Sequence, residues 1–274
     1  AKPERAQVIL ASFDDVVKAG AAVGNIISAG IIPAGLEMMD KLAIKAAEDF
    51  VHAGYPVDAE AILLCELDGT NAEVSEHVLQ VREIVTNSGA TEVRTAKDEE
   101  ERLAFWKGRK AAFPAVGRIS PDYYCMDGTI PRKRLPEVLK TMADLSKEYN
   151  LPVANVFHAG DGNLHPLILY DANIPGELER TEEFGSKNPE LCVQVGGTIP
   201  GEHRVGMEKT NPMRVQFNSP DLGTHGQQAV HDLHGCFHAL GFKCQFDTHD
   251  IGTKEHRHRS PPRQTPGPGK PFLA

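Results

Sequence analysis

Short apolar runs alternate along the chain with stretches whose apolar residues recur every three or four positions. Residues 7–13, 32–39, 61–67, 91–95, 123–130, 153–157 and 167–170 read as strands. The run AILLCEL at 61–67 is apolar on consecutive positions and ends at the turn Asp68-Gly69, as a buried strand does. Asp14-Asp15 is a cap signal for an Ala- and Val-rich helix ending near Gly30, and Asp40 for a helix over 41–52 closed by Gly54 and Pro56. Residues 71–87 place Val74, Val78, Val81 and Val85 on one helical face, with Gly89 beyond the end. Residues 97–113 predict a helix with an acidic first turn and a basic last turn, which the helix dipole favours. Further helices are predicted over 134–149 and from 177 onwards, with 190–195 continuing the helical packing. Alternation with short connections suits a parallel α/β fold. It suits split βαβ units with antiparallel strands equally well, and the pattern does not choose.

Composition narrows the class. The chain has 274 residues, enough for one large or two small domains with a real core, and its 41% hydrophobic content is ordinary. No run is apolar and long enough to span a bilayer as a helix. The start AKPERAQVIL lacks the order of a signal peptide and enters a strand-like run at once, which reads as a chain cut from something longer. A net charge of -9 without a basic stripe argues against nucleic acid as a partner. Cysteines at 65, 125, 192, 236 and 244 form no C-x-x-C pair, so free thiols in a reducing cytoplasm are expected.

Chemistry concentrates in two glycine-rich stretches. The first, VANVFHAGDGNLHP at 153–166, delivers His158 at the end of a strand, turns on Gly160-Asp161-Gly162-Asn163, and returns with His165. The second, GGTIPGEHRVG at 196–206, sets Glu202 beside His203. His158, His165 and Glu202 together would make a two-histidine, one-carboxylate metal site with open positions, leaving His203 to move a proton. Each piece also has a plain structural reading. Asp161 and Asn163 are good turn formers, and Glu202 and His203 would suit the surface of a loop.

The two motifs together, H-A-G-D-G-N-L-H and G-G-x-I-x-G-E-H, resemble the C-terminal domain of the FAD-linked oxidases of the vanillyl-alcohol oxidase type. The resemblance is to the branch acting on D-2-hydroxy acids, which includes D-lactate dehydrogenases and the FAD-containing D subunit of bacterial glycolate oxidase. The stretch FWKGRKAAFPAVGRISPDYYCMDGTIP at 105–131 carries the same likeness, which covers residues 1–222. It implies an α+β fold: antiparallel sheet with helices on one face and ferredoxin-like halves. It implies His158, His165 and Glu202 as ligands of a divalent metal, zinc or manganese, His203 as proton acceptor, and Arg109 as the clamp on a substrate carboxylate. The implied reaction is oxidation of glycolate or D-lactate to the 2-oxo acid by hydride transfer to FAD. Partner subunits, one of them an iron–sulfur protein, are implied as well, with a cytoplasmic location or a peripheral one at the inner membrane.

The chain departs from that pattern in places. Relatives acting on larger diacids carry a lysine near Cys125, so its absence implies a small monoacid; otherwise Cys125 reads as a small buried apolar residue. Arg204 stands where the family has glycine, and Met207 where it has arginine. A residue with a Cβ is strained if that position needs a positive φ. No glycine-rich phosphate loop of the G-x-G-x-x-G kind follows a strand, so 1–222 is expected to be the substrate or cap domain without the N-terminal FAD-binding domain. Residues 223–274 hold seven of the twelve histidines and end in Pro, Arg and Gly without apolar periodicity. That tail is expected to be disordered, and out of coding frame in preference to being a metal-binding tail. Two other functions stay open from the sequence: a non-catalytic remnant or assembly module, and a metallohydrolase using the same ligands.

Overall fold

The computed structural model describes residues 3–199, 201 and 215–216. Its frame is a seven-stranded sheet in the order β4-β1-β3-β2-β7-β9-β5, and every pairing in it is antiparallel. The strands are β1 (Arg5–Phe13), β2 (Gly35–Asp40), β3 (Ala61–Gly69), β4 (Glu92–Thr95), β5 (Asp122–Cys125), β7 (Val153–Phe157) and β9 (Pro166–Tyr170). A second, two-stranded ladder joins β6 (Gly128–Thr129) to β8 (Asn163–Leu164). The helices are α1 (Val16–Ser28), α2 (Lys41–Val51), α3 (Asn71–Asn87), α4 (Glu99–Val116), α5 (Leu135–Tyr149) and α6 (Glu177–Gln194).

The order β4-β1-β3-β2, with α1 and α3 as the crossovers, is the ferredoxin-like arrangement, and α2 is an addition between β2 and β3. The second half repeats the logic with β5, α5, β7, β9 and α6, giving the order β7-β9-β5. The halves meet edge to edge through β2 and β7, where only Met38↔Phe157 and Met39↔Val156 pair. By contrast β1 and β3 pair over nine residues, from Arg5↔Gly69 to Phe13↔Ala61.

The helices do not lie on one face, as the family resemblance implied. α1, α3, α5 and α6 cover one side, packing on Ile9, Ala11, Phe13, Met38 and Leu63. α2 and α4 cover the other, packing on Val8, Leu10, Met39, Ile62 and Leu64. Alternate residues of one strand point to opposite faces. The consecutive apolar residues of β1 and β3 are therefore what a sheet covered on both sides requires.

Helix starts follow the sequence signals. The Asp15 carboxylate accepts from Val17 N at 2.7 Å, and Thr70 and Glu73 form a reciprocal capping box. Asp40 both caps α2, accepting from Ala43 N at 3.1 Å, and accepts from Asn155 N and Nδ2 at 2.8 Å each. One residue of β2 thus fastens a helix to its own strand and one half-sheet to the other. α4 runs to Val116 with Pro114 inside it, so Arg109 and Lys110 fall in mid-helix and the last turn holds no basic residue. The predicted strand over 123–130 is two short ones, β5 and β6, separated by Met126 and Asp127. No described helix is long and apolar enough to cross a membrane. Residues 223–274, the predicted tail, lie outside the described residues.

Candidate active site

The loop after β7 closes tightly on itself. His158 and Asn163 form an isolated bridge, His158 N to Asn163 O at 3.1 Å and Asn163 N to His158 O at 3.2 Å. Gly162 sits at φ +71, and a Cβ there would lie 2.2 Å from the Ile130 carbonyl oxygen. Only glycine satisfies both the backbone angle and the approach. Gly160 N donates to Leu36 O at 2.8 Å, pinning the loop to the start of β2.

The turn brings His165 back beside His158. Their ring centroids are 5.3 Å apart with the planes at 85°. His165 is 1% exposed and meets the Phe113 ring edge-on at 6.0 Å, whereas the His158 side chain keeps 34% exposure. One imidazole is anchored in the core and the other opens to solvent.

Behind His158 lies a residue the sequence reading did not single out. Both carboxylate oxygens of Glu37 stand 3.0 Å from His158 Nδ1. Arg109 Nε donates to Glu37 Oε2 at 3.0 Å, and Arg109 Nη2 lies 2.8 Å from the same oxygen. Glu37 and Arg109 are 8% and 7% exposed. Arg109, expected as a substrate clamp, is thus tied through Glu37 to His158. The available signal was a carboxylate in mid-strand between Leu36 and Met38, where an apolar residue is the norm. Tyr55 donates its hydroxyl to the Phe105 carbonyl one turn before Arg109, and burial pushes its phenol well above the usual range.

The second glycine stretch reaches the same place. Thr198 pairs with Thr129 through Thr129 N to Thr198 O at 3.0 Å and Thr198 N to Thr129 O at 2.8 Å. At Gly197 a Cβ would lie 1.9 Å from Thr129 O. At Gly201 it would lie 2.3 Å from Asn163 Oδ1 and 2.5 Å from Asp127 Oδ2, and Asp127 is fully buried. The chain therefore comes to Gly201 against the loop that carries the two histidines. Glu202 and His203, and with them Arg204 and Met207, lie outside the described residues. Among the described residues no three His, Cys, Asp or Glu side chains gather into a metal-binding group.

Cys65 and Cys192 are buried. Burial pushes Cys65 up to about 12, which leaves it unreactive. Cys125 is half-buried in β5, beside the α2–α4 side of the core. A cleft of about 300 Å³ lies between the 30–36 segment and Gly160-Asp161, with Glu37 and Arg132 in its lining.

Comparison with known proteins agrees with this architecture. Over 235 residues the chain is 66% identical to glycolate oxidase subunit GlcD of Escherichia coli strain K12, covering 85% of this chain and 47% of that protein. It is 32% identical over 218 residues to a probable mitochondrial D-lactate dehydrogenase of Danio rerio, covering 78% of this chain and 43% of the other. The chain spans about half the length of the curated relatives it matches. Among solved structures, p-cresol methylhydroxylase with substrate bound superposes with a TM-score of 0.60 over 88% of this chain and 52% of that one. At 12% identity that likeness speaks to the fold alone. Residues 2–227 match the family model of FAD linked oxidases, C-terminal domain, and the chain belongs to that family.

Proposed function

We propose that residues 1–222 are the substrate-side domain of an FAD-dependent 2-hydroxy-acid dehydrogenase that oxidises glycolate or D-lactate to the 2-oxo acid. The observation that carries the reading is the pair His158 and His165, with ring centroids 5.3 Å apart on a glycine loop and His158 joined through Glu37 to Arg109. The 66% identity to a glycolate oxidase subunit supports the choice of substrate class.

In the reaction the substrate loses a hydride from C2 and a proton from the 2-hydroxyl. FAD supplies the hydride acceptor, and a divalent ion, zinc or manganese, supplies positive charge for the substrate's oxygens. His203 takes the hydroxyl proton, a role that suits an imidazole near neutral pH. Arg109 orients the carboxylate. Its Nε and Nη2 face Glu37, and a guanidinium has donors to spare at Nη1.

The donor set fits a divalent ion. Two imidazoles and one carboxylate are ligands that zinc and manganese accept, and the glycine loop converges the imidazoles. Glu202, the third ligand of this set, follows Gly201 in the sequence. The absence of a lysine near Cys125 favours a small monoacid. The same reading makes the protein part of a larger assembly with other glycolate oxidase subunits, including an iron–sulfur subunit. It puts that assembly in the cytoplasm or at the inner membrane surface.

The test is a fusion of this chain behind a flavin-binding domain, assayed by dye reduction with glycolate and D-lactate. His203→Ala is expected to lower turnover by roughly 10²–10⁴ as loss of the base. Arg109→Ala is expected to raise KM more than it lowers kcat. A fusion that holds FAD yet reduces no dye with either acid overturns the proposal, and phosphoester hydrolysis in its place would support a metallohydrolase.

A further inference from the structure

The Glu37 carboxylate belongs to no ligand or clamp set, yet it is buried, charged and placed between the two groups that matter most. Burying a carboxylate in mid-strand is costly without strong partners. Here the partners are specific. Oε2 accepts from Arg109 Nε at 3.0 Å, with Nη2 at 2.8 Å, and both oxygens lie 3.0 Å from His158 Nδ1. A carboxylate offers only lone pairs, so the proton between it and the ring resides on Nδ1. The second ring nitrogen, Nε2, is then the unprotonated one, the nitrogen that can act as a ligand. Position follows as well as tautomer. Glu37 lies one residue after Leu36, whose carbonyl accepts from Gly160 N at 2.8 Å, so β2 holds both the histidine and its loop.

We propose that Glu37 is a positioning residue: it fixes His158 in the Nδ1–H tautomer, presents Nε2 to the metal, and is itself held by Arg109. This rests on the metal reading of His158 and His165 given above. Carboxylates behind metal-bound histidines orient the ring and strengthen it as a ligand, and their loss costs about 10–100-fold in affinity. The arrangement also makes Arg109 serve both ends of the site. Its side-on donors hold Glu37, so a substrate carboxylate drawn to Nη1 is registered through one rigid side chain to the histidine.

Glutamine tests this well. It keeps the shape of Glu37 but has one acceptor oxygen for two donors, Arg109 and His158, and turns an amide against one of them. The measurement is zinc affinity of the full chain by competition with a chromophoric chelator. The central site is defined as the zinc lost in the double variant His158→Ala, His165→Ala, which removes any contribution of the other histidines. Glu37→Gln is expected to weaken the central site about 10–100-fold. In the metal-free wild-type chain, ¹⁵N shifts of His158, assigned by their loss in His158→Gln, are expected to show the proton on Nδ1.

Wild-type affinity in a folded Glu37→Gln chain, with zinc still lost in the double variant, overturns the positioning role and leaves the metal reading standing. A proton on Nε2 in the wild type overturns it too, and decides the matter alone if Glu37→Gln does not fold. Unchanged zinc in the double variant removes the metal reading and this proposal together.

Discussion

At the scale of single residues, the site is built by glycines whose missing Cβ is a contact. Gly162 combines φ +71 with a carbonyl oxygen 2.2 Å from where its Cβ would be, whereas Gly176 has φ +83 and nothing within 4 Å. The two positions separate backbone strain from collision. Gly176→Ala is expected to cost on the order of 1 kcal/mol from conformation alone. Gly162→Ala adds displacement of Ile130 and is expected to cost roughly 2–4 kcal/mol and to move the His158 loop. Urea unfolding of both variants measures this, and equal losses would mean that the close approach does not constrain the loop. That the turn would bring His165 back to His158 was legible from spacing and glycine placement, because a turn of that kind has few ways to fold. Glu37 was not. What it touches comes from α4 and from the far side of the sheet joint, 72 and 121 residues away in the chain, and no local pattern encodes such partners.

At the scale of elements, caps and faces were readable because they are local. Asp15 and Asp40 cap the helices they were expected to start, since a side chain that satisfies orphan N–H groups must be adjacent to them. The break between β5 and β6 was not readable. It depends on burying Asp127 and on Gly128, where a Cβ would lie 2.6 Å from Cys192 Sγ on α6. The end of α4 was missed because Pro114 suggests a stop, yet in the last turn it forfeits only one helical hydrogen bond. Asp40 carries a pH signature. Burial raises its carboxyl from 3.8 to about 6, against the hydrogen bonds from Ala43 and Asn155 that favour the charged form. Below pH 4 the group is protonated in folded and unfolded chains alike. Between pH 4 and 6 the folded chain holds the proton more tightly, so its share of the stability falls as pH rises through that window and stays lost above it. The size is on the order of 2–3 kcal/mol. Unfolding free energies from pH 4 to 7 should show this slope in the wild type and not in Asp40→Asn. The variant should also be less stable throughout, because its amide opposes the Asn155 donors. The same slope in both would assign the pH dependence to another group.

At the scale of the whole molecule, the candidate site lies where two ferredoxin-like halves share an edge. Glu37 and Asp40 come from β2, His158 from the end of β7, and only two residue pairs join those strands. The antiparallel order of each half was not decidable from alternation of strands and helices and rested on the family motifs. Coverage of both faces, in contrast, was written in the unbroken apolar runs of β1 and β3. The joint is narrow, so its strength depends on what supplements it, chiefly the two hydrogen bonds from Asn155 to Asp40 at 2.8 Å each. Asn155→Ala removes the side-chain bond and leaves the backbone one. The expected cost is about 1–3 kcal/mol for a buried acceptor that loses a donor. The loss should be local in character. Native-state hydrogen exchange should show Met38, Met39, Val156 and Phe157 opening at lower free energy in the variant than in the wild type, while amides of the nine-pair β1–β3 ladder still open only with global unfolding. Such a pattern would identify the joint as the unit that opens first and the site as its occupant. If joint and ladder amides fall together by the same amount, the halves unfold as one body and the β2–β7 edge is no weaker than the rest of the sheet.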